Sequence, residues 1–241
     1  MTATTMDAAA AAAPGAALTA HALHRTFGTG PTAVQALRGV DLDVAPGELL
    51  VVSGASGSGK TTLLNILGGL DRPTRGTVLL GDRDLTAMGE DDIVALRRDR
   101  LGYVFQSFGL IPMLSAAENV EIPLRLRRMP AQERDRRVAA VLEAVGLGEH
   151  AQQRPDELSG GQQQRVGIAR ALVAEPSVLL ADESTGQLDS ATGARIMDLL
   201  VAFARDRGVA TIVTTHDLQL MSRADRVVHL VDGAISRTAR P

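Results

Sequence analysis

The 241-residue chain has no cysteine and no tryptophan, one tyrosine and four phenylalanines. The missing thiols exclude a disulfide framework, a cysteine zinc site and thiol catalysis, and the scarce rings leave few platforms for stacking a base. Nowhere do 18 apolar residues run together, so no segment reads as a membrane span. Charge of one sign is not in excess either: 25 basic against 28 acidic groups give a net charge of −3. That balance argues against a nucleic-acid partner. Lysine is the scarcest basic residue, because Lys60 is the single one and every other cationic side chain is arginine. A compact ammonium kept against that bias points to a task a planar guanidinium cannot perform.

What is present is a globular composition, with 45% hydrophobic and 22% charged residues, in one large domain or a core with an inserted lobe. Residues 1–17 carry the run Ala8 to Ala13, then Pro14 and Gly15, with no basic residue before Arg25. That pattern lacks the charged start and leucine-like stretch of a secretory signal and is expected to be a loose, Ala-rich disordered tail before a domain over 18–241. A cytoplasmic protein is expected.

Short alternating apolar runs from Leu18 to Val52, broken by Gly and Pro, predict strands. Helices are expected over about Lys60–Leu67, Gly89–Arg100 and Ser190–Arg207, and near Leu218. Further strands are expected at Thr77–Leu80, Leu101–Phe105, Val178–Ala181, Ala210–Thr214 and Val227–Val231, with Asp232-Gly233 turning into a last one. Between residues 107 and 174 strand signals vanish. Ser115 with Glu118 reads as a capping box, Pro130 opens a helix, and an inserted helical lobe is expected. Alternating strands and helices predict an α/β fold with a mostly parallel sheet.

The loop GASGSGKT, residues 54–61, follows an apolar strand and opens a helix. Glycines at 54, 57 and 59 let backbone N–H groups turn onto phosphate oxygens, Lys60 reaches the β- and γ-phosphates, and Thr61 offers a hydroxyl to Mg²⁺. The buried-strand pattern Val178 to Ala181 ends in Asp182-Glu183. One carboxylate there suits Mg²⁺ and the other an attacking water. Before a further helix lies LSGGQQQR, residues 158–165, whose Ser and glycines offer a second anion site.

With these three motifs in order, the chain resembles the nucleotide-binding subunit of an ABC transporter. The remaining family positions are Gln106 after a strand, Leu188-Asp189, and His216 after Thr211 to Thr215. The resemblance runs from about residue 18 to the C-terminus and implies an ATPase with a P-loop core, an N-terminal antiparallel β subdomain and an inserted helical subdomain. It implies that two copies sandwich two ATP molecules with Mg²⁺, and that Ser159, Gly160, Gly161 and Gln162 of one copy meet the nucleotide held by the other. The nucleotide is further expected to touch Ala55, Ser56, Ser58, Thr62 and Asp189, with Phe27 stacking on adenine. Thr61, Gln106 and Asp182 are the expected metal contacts; Lys60, Gln106, Glu183 and His216 are the expected catalytic residues.

His21, His24, His150 and His229 form no ligand-spaced pair and read as structural. Arginines 125, 127, 128, 134, 136 and 137 read as a solvated helix face before a lipid- or partner-binding one. Where the family usually has Pro and Asn after Asp-Glu, this chain has Ser184 and Gln187, and activity is expected to survive because the acids remain. The stretches LGGLDRPTRG (67–76) and YVFQSFGLIPMLSAAENVEIPL (103–124) resemble the lipoprotein-releasing, macrolide-efflux and cell-division branch. That branch implies a peripheral subunit on the cytoplasmic face of the membrane, driving a separate permease for export or a mechanical stroke. A cell-division-type regulator of an envelope hydrolase is the alternative, and a soluble non-transport ATPase is the least favoured.

Overall fold

The computed structural model describes residues 15–183 and 190–240. Most of the Ala-rich start, and Ser184, Gln187 and Asp189, lie outside the described residues. Strands β1 (Leu18–Phe27) and β2 (Val34–Val44) form a hairpin, and β3 (Leu49–Ser53) leads through the glycine loop into α1 (Lys60–Leu67). Then come β4 (Arg75–Leu80), β5 (Arg83–Asp84), α2 (Glu90–Arg100) and β6 (Leu101–Val104), followed by helices α3 (Ala116–Leu126), α4 (Ala131–Ala144) and α5 (Gly160–Leu172). The chain closes with β7 (Val178–Asp182), α6 (Ser190–Arg207), β8 (Ala210–Thr214), α7 (Leu218–Met221), β9 (Arg226–Val231) and β10 (Ala234–Ala239).

Two sheets result. A four-stranded antiparallel sheet has the order β2-β1-β4-β5, and a six-stranded sheet has the order β10-β9-β3-β8-β7-β6, parallel except at its β10 edge. Because successive strand residues face opposite sides, the continuous apolar runs of the inner strands divide between two cores. Leu50, Val52, Val178, Leu180 and Ile212 pack with α1 and the antiparallel sheet. Leu49, Val51, Leu179, Ala181 and Val213 pack with α3, α5 and α6. Helices α3 to α5 thus share a core with one face of the parallel sheet.

Local chemistry sets the helix starts. Ser115 Oγ accepts from the Glu118 N–H at 3.2 Å while Glu118 Oε2 accepts from the Ser115 N–H at 2.8 Å, the reciprocal box expected from sequence. Buried Asn119 ties the segment before α3 to it, accepting from the Ile111 N–H and donating to the carbonyls of Leu114 and Ser115.

The arginine cluster is largely self-neutralised. Arg125 and Arg134 converge on Glu121, Arg136 and Arg137 pair with Glu133, and Arg127 donates to the backbone carbonyls of Arg98, Asp99 and Ala174. Burial pushes the Glu121 carboxyl up, but the bonds from Arg125 and Arg134 outweigh it and hold it below the usual range. A carboxylate so depressed stabilises the fold above its unfolded pKa, and that contribution is lost as pH falls through the folded value. Glu121→Gln is therefore expected to cost about 1–3 kcal/mol at neutral pH, with the gap from the parent closing below about pH 4. Thermal unfolding across pH measures this, and a gap independent of pH would contradict it.

Candidate nucleotide site

The glycine loop joins β3, the centre of the parallel sheet, to α1. A Cβ on Gly54 would lie 2.2 Å from the Leu230 carbonyl oxygen, and one on Gly59 2.5 Å from that of Ala36. The loop is thus pressed between β9 and β2, where only glycine fits. The turn Asp232-Gly233 locks it there: the Gly233 N–H donates to Ser58 O at 3.0 Å, and the Arg38 N–H donates to Gly233 O at 2.7 Å.

Lys60 opens α1 and is buried, its ammonium donating to the carbonyls of Gly54 at 2.7 Å and Ala55 at 3.0 Å. The helix start has no side-chain cap and no acid in its first turn, and Ser58 Oγ is buried without a hydrogen-bond partner. Unspent N–H groups, an ammonium and a spare hydroxyl converging on one loop fit a phosphate chain.

The two carboxylates leave the end of β7 in different settings. Asp182 is buried and accepts from Thr214 Oγ1 at 2.6 Å, across the β7–β8 pairing. Glu183 adopts a positive φ of 44°, its N–H bonded to Thr214 O at 3.1 Å and Thr214 Oγ1 at 3.0 Å. That left-handed turn sends its carboxylate between Gln106, whose Nε2 donates to Oε2 at 2.9 Å, and His216, whose Nε2 is 3.5 Å from Oε1. Behind them, burial pushes the Tyr103 phenol far above its ordinary value, with the charge of Asp182 adding to the effect. It stays neutral and donates to Asn65 Oδ1 at 2.8 Å.

A cleft of about 690 Å³ brings together Ser56, Gly57, Gly59, Lys60, Thr61, Thr62, Gln106 and Glu183. Gly54, Ala55 and Ser58 support it from the same loop. Among the described residues there is no cluster of three or more His, Asp or Glu side chains that could cage a metal. Thr61, Gln106 and Asp182 instead offer isolated oxygens, which suits Mg²⁺ completed by water and phosphate.

The other expected contacts among the described residues lie off the cleft lining, Asp182 among them, buried at the end of β7. Phe27 does not line the cleft; it pairs across the hairpin with Val34, which does, and the Arg25 guanidinium sits 4.4 Å over its ring. Ser159, Gly160, Gly161 and Gln162 stand at the start of α5, away from the cleft lining. His216 is exposed and reaches the cleft through Glu183.

Sequence reasoning missed Ala36, Arg38 and Gly233 as cleft residues, because strand pairing brings them there. It also missed Thr214, read only as the end of a strand. Thr214→Val keeps the shape but leaves Asp182 without its donor, so a loss of about 1–3 kcal/mol in stability is expected. Lower Mg²⁺-dependent turnover should accompany it. Unchanged melting and turnover would show that the hydroxyl is dispensable.

Comparison with known proteins agrees with this geometry. The family model described as ABC transporter matches residues 37–186. The macrolide export ATP-binding/permease protein MacB of Wolinella succinogenes is 46% identical over 217 residues, 90% of this chain and 34% of that protein. The pyoverdine export ATP-binding/permease protein PvdT of Pseudomonas syringae pv. syringae is 48% identical over 220 residues, 90% of this chain and 33% of that protein. The chain thus spans about a third of the length of these relatives. An uncharacterized ABC transporter ATP-binding protein of Thermotoga maritima is 45% identical over 216 residues, 90% of this chain and 92% of that one. Among solved structures, a dimeric post-hydrolysis state of the ATP-binding cassette MJ0796 bound to ADP and Pi superposes with a TM-score of 0.89 at 40% identity, covering 92% of this chain and 98% of that one. With a phosphate loop, a carboxylate strand end and a signature helix on an ATP-binding-cassette fold, the chain belongs to the ABC transporter family.

Proposed function

We propose that the chain is the ATP-hydrolysing subunit of an exporter, acting as a head-to-tail pair beneath a separate membrane permease. The observation that carries this is the division of the site. Lys60, Thr61, Gln106 and Glu183 share one cleft, whereas Ser159 to Gly161 present a second set of donors outside it. One chain therefore holds half of each site, and a second copy supplies the other half.

In this reading Lys60 and the uncapped start of α1 bind the phosphates, and Phe27, on the hairpin end beside Val34, offers its ring to the base. Mg²⁺ would be held by Thr61, Gln106 and Asp182, and it would offset charge on the transferred phosphoryl group. Glu183 orients the attacking water and takes its proton, while Gln106 and His216 hold the carboxylate at the required angle. Gln106 lies just before the segment that Asn119 ties to α3, so movement of helices α3 to α5 against the sheet would shift Gln106 relative to Glu183. No helix among the described residues is long and apolar enough to cross a membrane, which is consistent with a peripheral subunit on the cytoplasmic face. Export is favoured by the names of the relatives, and the substrate class would be set by the permease.

Co-purification from gently solubilised native membranes tests the proposal, with Glu183→Gln holding the assembly closed. A partner with few spans and a large extracytoplasmic part is expected. Recovery of soluble partners alone would overturn it, and a partner bound to an envelope hydrolase would redirect it to cell-wall regulation.

A further inference from the structure

We infer that His150 is a positioning residue for the signature turn, acting through the side chain of Gln162. The inference deepens the paired-site reading above and rests on it. The hydrogen bonds around Gln162 allow one arrangement. Its Oε1 accepts from the Ser159 N–H at 2.8 Å, so Nε2 is the donor end of the amide, and Nε2 lies 3.2 Å from His150 Nε2. That imidazole nitrogen must then offer a lone pair, which places the ring proton on Nδ1, 2.8 Å from Gln153 Oε1 as acceptor. Gln163 secures the same turn from the other side, donating to the carbonyls of Pro155 and Leu158 at 2.8 and 3.1 Å.

The consequence lies in which donors remain. Ser159 Oγ accepts from the Gln162 N–H at 3.3 Å, which uses a lone pair and leaves the hydroxyl hydrogen unspent. The box satisfies the N–H groups of Ser159 and Gln162 but not those of Gly160 and Gly161, the first two residues of α5. Two N–H groups and one O–H therefore stay available together for an anion. The relay from Gln153 through His150 and Gln162 to Ser159 fixes their direction before a second copy arrives, so less ordering is left for the moment of closure.

The test uses the full chain in the Glu183→Gln background, where the closed pair accumulates. His150→Leu removes the acceptor for Gln162; His150→Gln restores a side-chain amide able to accept from it. With His150→Leu, the Mg-ATP concentration for half-maximal dimerisation should rise about tenfold, the effect of losing one hydrogen bond. Binding of a fluorescent ATP analogue to dilute monomer should stay unchanged. His150→Gln should recover most of the loss. In the otherwise unsubstituted chain, His150→Leu should lower kcat without raising the monomer Kd for nucleotide. A midpoint within twofold of the parent, equal defects in both variants, or a matching loss of monomer binding would overturn the inference alone. A parent that stays monomeric at saturating Mg-ATP would overturn the paired reading and this inference together. Nitrogen chemical shifts of the His150 ring provide an independent check: a proton on Nε2 would contradict the relay.

Discussion

Glu183→Gln is expected to bind Mg-ATP as the parent does and to turn it over about 10²- to 10⁴-fold more slowly, the range attached to a lost general base. The structure separates the two effects. In the proposed site the phosphate contacts would come from Lys60 and the start of α1, neither bonded to Glu183, whereas the carboxylate stands between Gln106 and His216. An amide of the same size can still accept from Gln106, so the local geometry persists while the ability to take a proton from water is lost. With hydrolysis blocked the proposed pair keeps its ATP, so the variant should accumulate as an ATP-dependent dimer. Sedimentation with and without Mg-ATP, beside a phosphate-release assay, reads both properties. Near-parental turnover would remove Glu183 as the base, and a monomer at saturating nucleotide would remove the sandwich.

How far these roles are legible in the sequence depends on where their contacts lie along the chain. GASGSGKT declares itself because its glycines, lysine and flanking apolar runs are contiguous, and the box at Ser115 and Glu118 spans four residues. The alternation of β3, β7 and β8 between two cores follows from strand geometry alone. Contacts made by distant pairing were not legible. The β1–β4 pairing that assembles the antiparallel sheet joins segments on either side of the glycine loop, and nothing in the composition of β4 marks β1 as its neighbour. The same holds for Thr214, whose register opposite Asp182 turns an ordinary strand residue into a partner of both carboxylate residues. Arg38 and Gly233 reach the loop only because β2 and the β9–β10 turn lie beside it. His150 showed no ligand spacing, since its partners are amides, for which spacing carries no signal.

Lys60→Ala is expected to weaken nucleotide binding on the order of 100-fold or more, because an ammonium bridging two phosphates makes two charge-assisted bonds of about 1.5–3 kcal/mol each. Lys60→Arg should fare little better, and that second variant isolates shape from charge. The ammonium now sits within 2.7 and 3.0 Å of the Gly54 and Ala55 carbonyls, inside a loop whose glycines 54 and 59 press against the Leu230 and Ala36 carbonyls. A planar guanidinium is wider than that space and presents its donors in a fixed fork, so it must stand outside the loop or spread it. Titration with a fluorescent ATP analogue measures the loss, and thermal unfolding without nucleotide shows that the fold survives it. Arginine binding within tenfold of the parent would mean that charge alone is needed. If instead both substitutions fail alike, the sole lysine in a chain that otherwise uses arginine is explained: the tightly held phosphate loop selects an ammonium by its size.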